Sequence, residues 1–236
     1  MNSRYIKLIA VVTMTIDHIG YWLYPDVELF RIIGRIAMPL FCLLAAYGVT
    51  KTRSVCKYLL RLLAFAVVVQ VFINLFMYDD LFAHEWWNVF FDLSFGVAAA
   101  WFVGVALKSI TEQGETSWKQ YVKVIAATVG LAGVVILAGL IPIDYGSAAV
   151  LLVVIFYLAL QHSMKTLRIT AVFGIAVFCV LLHSLGAWRV QWWAFLALPF
   201  ILLFADRKLK ISVYEKYAFY IYYPLHVIVL FLISTL

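Results

Sequence analysis

Apolar residues run along this chain in long blocks, unlike the alternation of a strand or the one-sided stripe of a surface helix. About nine blocks follow one another, at residues 5–24, 29–49, 58–77, 87–107, 121–140, 146–160, 167–186, 191–205 and 214–236. Most approach the ~20 residues that carry a helix across a hydrocarbon core, and the sixth and eighth are the shortest. Little chain is left between them. The pattern predicts one all-α bundle over residues 1–236, a polytopic membrane protein of about nine transmembrane helices, with eight to ten as the bracket. It leaves no room for a soluble domain or a linker, and no internal repeat is visible.

Composition supports this reading: 66% of residues are hydrophobic and 13% charged, against roughly 45–50% and ~25% in soluble domains. The formal charge of +6 points to topology and not to nucleic acid. Of the 18 Lys and Arg residues, all but Arg31, Arg35 and Arg189 fall at the amino end or on alternate connections. The positive-inside rule then puts the amino terminus in the cytoplasm and, with nine spans, the carboxyl terminus outside. The first block reads as a retained helix and not a cleavable signal, because Asp17 and His18 interrupt it and no small-residue cleavage site follows. Cys42, Cys56 and Cys179 show no paired spacing, so neither a disulfide framework nor a metal site is expected.

The informative residues are the polar ones inside the blocks. An Asp within hydrocarbon costs at least ~2.5–3.5 kcal/mol, so such residues are rare and usually functional. With ~1.5 Å of rise per residue, Asp17 lies about 9 Å and His18 about 8 Å below the outer end of the first block. Arg35 lies at about 9 Å in the second block, which returns through a short turn at Pro25. Asp17 and Arg35 therefore share a depth on neighbouring helices and are expected to pair. Arg31 shares the Arg35 face, and Pro39 one turn on is expected to kink the span. Asn74, Asn88, Asp92, Asp144 and Tyr145 fall toward the same outer half. His226 follows Tyr223 and Pro224, about 16 Å in from Glu215 and close to mid-bilayer. Bland readings stand beside these: a structural ion pair for Asp17–Arg35, a hydrogen-bonded core histidine for His226, solvated loops for His84 and His162. Trp86, Trp87, Trp188, Trp192 and Trp193 read as an interfacial belt.

Several segments together carry a family resemblance: residues 7–20 (KLIAVVTMTIDHIG), 29–48 (LFRIIGRIAMPLFCLLAAYG), 57–70 (KYLLRLLAFAVVVQ), 144–158 (DYGSAAVLLVVIFYL) and 217–226 (YAFYIYYPLH). The chain resembles the TraX family, that of the conjugative F-pilin acetylase, over nearly its whole length. The resemblance implies an inner-membrane acyltransferase that moves an acetyl group from acetyl-CoA, as co-substrate and without a metal, to the amino-terminal amine of a pilin-like acceptor. On that expectation His18 is the general base or transient acyl carrier, with Asp17 and His226 completing the catalytic set. Arg31, Arg35, Asn74, Asn88, Asp92, Asp144, Tyr145 and Tyr223 are the substrate-binding candidates. Lys51, Arg53, Lys57 and Arg61 form a basic cytoplasmic mouth for the CoA phosphates, with the pantetheine arm reaching into the bundle. Two alternatives stay open: a proton-coupled small-solute transporter using the same ionisable groups, and a non-enzymatic pilus-assembly membrane protein.

Overall fold

The computed structural model describes residues 1–78, 87–111, 118–186, 189–206 and 213–236, with the side chains of residues 77, 78, 213–217 and 220 outside that description. His84, Trp86, Trp188, Arg207, Lys208 and Lys210, together with the side chain of Lys216, lie outside the described residues. The described regular structure is helical, apart from one isolated bridge between Trp87 and Ile143.

Each predicted block carries helix. The first is α1 (Ser3–Trp22), opened by Asn2, whose side chain accepts the amides of Arg4 and Tyr5 at 3.1 and 3.2 Å. The second is divided into α2 (Glu28–Gly34) and α3 (Ala37–Lys51). The division falls where Pro39 lacks the N–H that would bond the carbonyl of Arg35 four residues earlier. The third block is α4 (Val55–Ile73), which relaxes into a π turn at Asn74–Tyr78. Then follow α5 (Val89–Thr111), α6 (Trp118–Leu140), α7 (Gly146–His162) and α8 (Met164–Ser184). The eighth block differs from a single α-helix: it is a 3-10 run, Arg189–Ala197, followed by one turn, α9 (Leu198–Leu202), begun at Pro199. The last block is α10 (Val213–Ser234), with Pro224 inside it.

Five stretches among the described residues are long and apolar enough to cross a membrane: Glu28–Lys51, Val55–Phe76, Val89–Thr111, Trp118–Leu140 and Met164–Ser184. The helix α1 has the length, with 20 residues, but Arg4, Lys7, Asp17 and His18 dilute its apolar character. The helix α7 has 17 residues, or about 25 Å of rise against a core of ~30 Å.

Burial ranks the helices. In α3 most residues are buried, and it packs against α1, α5 and α7. It is the axis of the bundle. By contrast α6 buries only Ala127 and Ala138, rests on α5 and α7, and turns Tyr121, Ile125, Val129 and Ile136 outward. The Trp87 amide donates to the Pro142 carbonyl at 2.9 Å. That bond ties the entry of α5 to the turn before α7, beside the polar residues described next.

Candidate functional site

Asp17 is held from two sides. Its Oδ2 accepts from Arg31 Nη1 at 2.6 Å and its Oδ1 from Arg35 Nη2 at 2.5 Å. Arg31 Nη1 also donates to the Asp17 carbonyl at 3.2 Å, and Arg35 Nε donates to the Arg31 carbonyl at 3.1 Å. The expected Asp17–Arg35 pair is therefore present, and Arg31 joins it. Arg35 is 5% exposed and occupies the break between α2 and α3. From there its guanidinium also feels Tyr145 and Asp144. Gly34 makes the approach possible: a Cβ there would lie 2.0 Å from Asp17 Oδ1. Nothing in the apolar pattern singled out that glycine; its place one residue before Arg35 was the available signal.

His18 and His226 are in direct contact. Their Nδ1 and Nε2 atoms are 2.7 Å apart and their rings lie 6° from parallel. Counting rise from the block ends put His226 near mid-bilayer, deeper than His18. In the structure the two rings meet at one level of the bundle. His226 Nδ1 lies 3.0 Å from the Tyr222 carbonyl, an atom that only accepts, so this nitrogen carries the proton. His226 Nε2 then has only a lone pair to offer, and His18 Nδ1 must be the donor to it. By elimination, neutral His18 presents an unprotonated Nε2. Thr15 Oγ1 and Tyr222 Oη, 2.7 Å apart, join α1 to α10 one turn away. The spacings Thr15/His18 and Tyr222/His226 put each pair on one helix face. Sequence reading passed over Thr15 and Tyr222, although that matched spacing was the signal.

The turn before α7 completes the site. Asp92, fully buried in the first turn of α5, accepts the Tyr145 amide on Oδ1 at 3.1 Å. Its Oδ2 is buried without a hydrogen-bond partner among the described residues. Gly146 follows with φ of 54°, a conformation that favours glycine. Between these elements is a cavity of about 40 Å³. Of the residues that line it, Asp17, His18, Asp144, Tyr145 and Tyr223 are polar, and Met14, Ala37, Met38, Phe41 and Val89 are apolar. Tyr223 presents its edge to both histidines, with ring centroids 6.2 and 5.5 Å away.

Other candidates fall elsewhere. Asn88 caps α5 by accepting the Phe90 amide at 3.1 Å. Its amide nitrogen donates to the Ala66 carbonyl and to Gln70 Oε1, both at 2.9 Å, while Gln70 donates to Asn74 at 2.9 Å. Asn74 and Asn88 thus sit in a network that fastens α4 to α5, and neither lines the cavity. An Asn beside a helix end can have its side chain engaged by backbone groups, so depth alone does not separate a cap from a ligand. The basic cluster lies at the opposite end of α3, with Lys51 about 24 Å along the axis from Arg35. Lys51 Nζ is 2.6 Å from Asp206 Oδ2, so its charge is already balanced. Arg53 and Lys57 are exposed, and Arg61 lies over the Tyr58 ring at 5.4 Å.

Apolar helices around an ion-paired, histidine-bearing cavity are the features of a helical membrane protein with an embedded polar site. The family described as TraX protein matches residues 2–234. The chain belongs to that family. An uncharacterised protein of Rickettsia prowazekii (strain Madrid E) is 27% identical over 179 residues, covering 76% of this chain and 63% of the relative. A probable fimbrial assembly protein, FimC of serogroup H1, from Dichelobacter nodosus is 32% identical over 108 residues, covering 40% of this chain and 43% of the relative. The chain thus spans less than two thirds of either relative's length. No solved structure matches it.

Proposed function

We propose that this protein is an inner-membrane acetyltransferase that moves an acetyl group from acetyl-CoA to the amino-terminal amine of a pilin-like subunit. The observation that carries this reading is the histidine relay: the Tyr222 carbonyl orients His226, and His226 orients His18 so that Nε2 faces chemistry as a base. Membership of the TraX family supports it, and the fimbrial-assembly name of one relative is in keeping with a pilin-like acceptor.

In the proposed reaction His18 Nε2 takes a proton from the acceptor amine as its nitrogen bonds the acetyl carbon. The carbon–sulfur bond to CoA then breaks, and the thiolate leaves. Negative charge that develops on the carbonyl oxygen would be met by the field of Arg31 and Arg35, which carry two positive charges against the single charge of Asp17 and stand behind Asp17, outside the cavity lining. Asp144 at the cavity rim would meet the ammonium form of the acceptor. Arg53, Lys57 and Arg61 would bind the CoA phosphates, with Lys51 contributing less because Asp206 already neutralises it.

The test is intact-mass measurement of the pilin-like proteins of cells with and without this gene, together with a His18→Ala form. The proposal expects the mass of one acetyl group to disappear in both altered strains. Unchanged masses throughout, with pilus assembly impaired, would instead favour the non-enzymatic assembly role suggested by the fimbrial-assembly relative.

A further inference from the structure

We infer that His226 does more than orient His18: it takes up a second proton, so that the charge created by deprotonating the acceptor amine comes to rest on His226. This inference rests on the acyl-transfer reading above and adds to it where the proton goes. The two imidazoles are placed for such a transfer. His18 Nδ1 and His226 Nε2 are 2.7 Å apart, at the short end of hydrogen-bond distances. Their ring planes are 6° from parallel and their centroids 4.9 Å apart. Rings lying face to face at that separation would keep all their atoms farther apart than these two nitrogens are. The rings therefore meet edge to edge in nearly one plane, with both nitrogens close to the line between the centroids. An imidazole lone pair lies in the ring plane, so that of His226 Nε2 points at the proton on His18 Nδ1.

Charge sets the direction of transfer. Arg31 and Arg35 already share Asp17, and both guanidinium groups bear on His18. A cation left on His18 would face two positive charges against one carboxylate, in a setting where charges are poorly screened. Against His226 lie the backbone carbonyls of Tyr222 and Tyr223, whose oxygens favour a cation. The Tyr222 oxygen is 3.0 Å from Nδ1. A carbonyl accepts a hydrogen bond but carries no proton onward. A proton placed on His226 can therefore leave only by the way it came, through His18. The pair stores one proton for the length of a turnover and is not a conduit across the bundle.

The step balances. The amine nitrogen bonds the acetyl carbon, its proton passes to His18 Nε2, and the proton on His18 Nδ1 passes to His226 Nε2. The carbon–sulfur bond breaks and CoA leaves as the thiolate. His18 ends neutral, now accepting at Nδ1, and His226 ends as the cation. The two movements in reverse deliver the proton to the thiolate and reset the pair.

The test counts protons in flight. The purified full chain, in excess over labelled acetyl-CoA, would turn over once with a peptide bearing a free amino terminus, in mixtures of light and heavy water. The same preparation from cells lacking the protein serves as the blank. Two moving protons make the rate fall along a bowed line as the deuterium fraction rises; one makes it fall along a straight line. The natural protein should give the bow. In His226→Gln the side-chain oxygen still accepts from His18 Nδ1 but is too weak a base to take its proton. That variant should give a straight line, with transfer at least about tenfold slower. A straight or flat line in the natural protein overturns the second transfer while leaving acetyl transfer standing, and needs no variant to fold. The full rate or the same bow in His226→Gln also overturns it. No transfer above the blank overturns the underlying reading of function, and the proton store with it.

Discussion

A proton on His226 Nδ1 is accepted by the Tyr222 carbonyl, and that constraint propagates to His18. On the proposed function, removing His18 should lower acetyl transfer by about 100- to 10,000-fold, the usual loss for a general base. Replacing His226 with alanine removes the orientation and not the base. It should reduce kcat with little change in KM for acetyl-CoA, and His226→Gln, which can still accept from His18, should recover part of the rate. Steady-state transfer assays on the three variants check this order; a His226→Ala enzyme at full kcat would contradict the relay. Gly34 is decisive in a different way. A methyl there collides with Asp17 and with the carboxylate that two arginines share. Gly34→Ala should therefore push Asp17 out of its clamp, at a cost on the order of the 3–5 kcal/mol seen when a buried ion pair loses a partner. Thermal unfolding in detergent measures this, and Gly133→Ala, at a position open to space, is the control.

At the scale of elements, α5 and α7 matter because their first turns hold the site. Asn88 closes the start of α5, and Asp92 one turn later carries the segment that begins α7. Asn88→Ala removes the cap and the two further hydrogen bonds that the Asn88 side chain makes with α4. The loss of the cap alone is worth ~0.5–2 kcal/mol. The variant should unfold at lower temperature than the natural protein while KM for acetyl-CoA stays unchanged, since the cavity does not include Asn88. A raised KM with unaltered stability would return Asn88 to the substrate-binding set. The break between α2 and α3 acts at this scale too: it lets Arg35 occupy the end of one short helix and reach Asp17 on another.

Across the whole molecule, α3 connects two ends of different chemistry. The cavity lies at its beginning, and the basic turn at Lys51–Arg61 lies at its other end. Should the basic end hold the CoA phosphates, Lys57→Glu with Arg61→Glu would raise KM for acetyl-CoA by at least about tenfold. The saturated rate would change little, as for lost uniform binding. Kinetics at varied acetyl-CoA decide this, and an unchanged KM would place the phosphates elsewhere. Lys51→Ala should have the smaller effect, because Asp206 already pairs with it.

How much of this was legible beforehand follows from the range of each force. Apolar runs located the long described helices to within a few residues, but missed the division into α2 and α3 and the 3-10 run before α9, because burial in hydrocarbon marks local composition and not helix type. The Asp17–Arg35 pair was also legible, since a short turn makes α1 and α2 neighbours and equal depth does the rest. Contact between His18 and His226 was not legible, for 208 residues separate them and the packing of α10 against α1 depends on the other helices. The roles of Asn88 and Lys51 likewise emerged only in three dimensions. Their types announced polarity, but their partners, Gln70 and Asp206, were chosen by how the helices assemble. Sequence alone thus determined an all-helical, lipid-suited chain with a buried carboxylate and its arginine. Tertiary structure decided which histidine faces which, and which nitrogen is left without a proton, because hydrogen bonds are directional where hydrophobic burial is not.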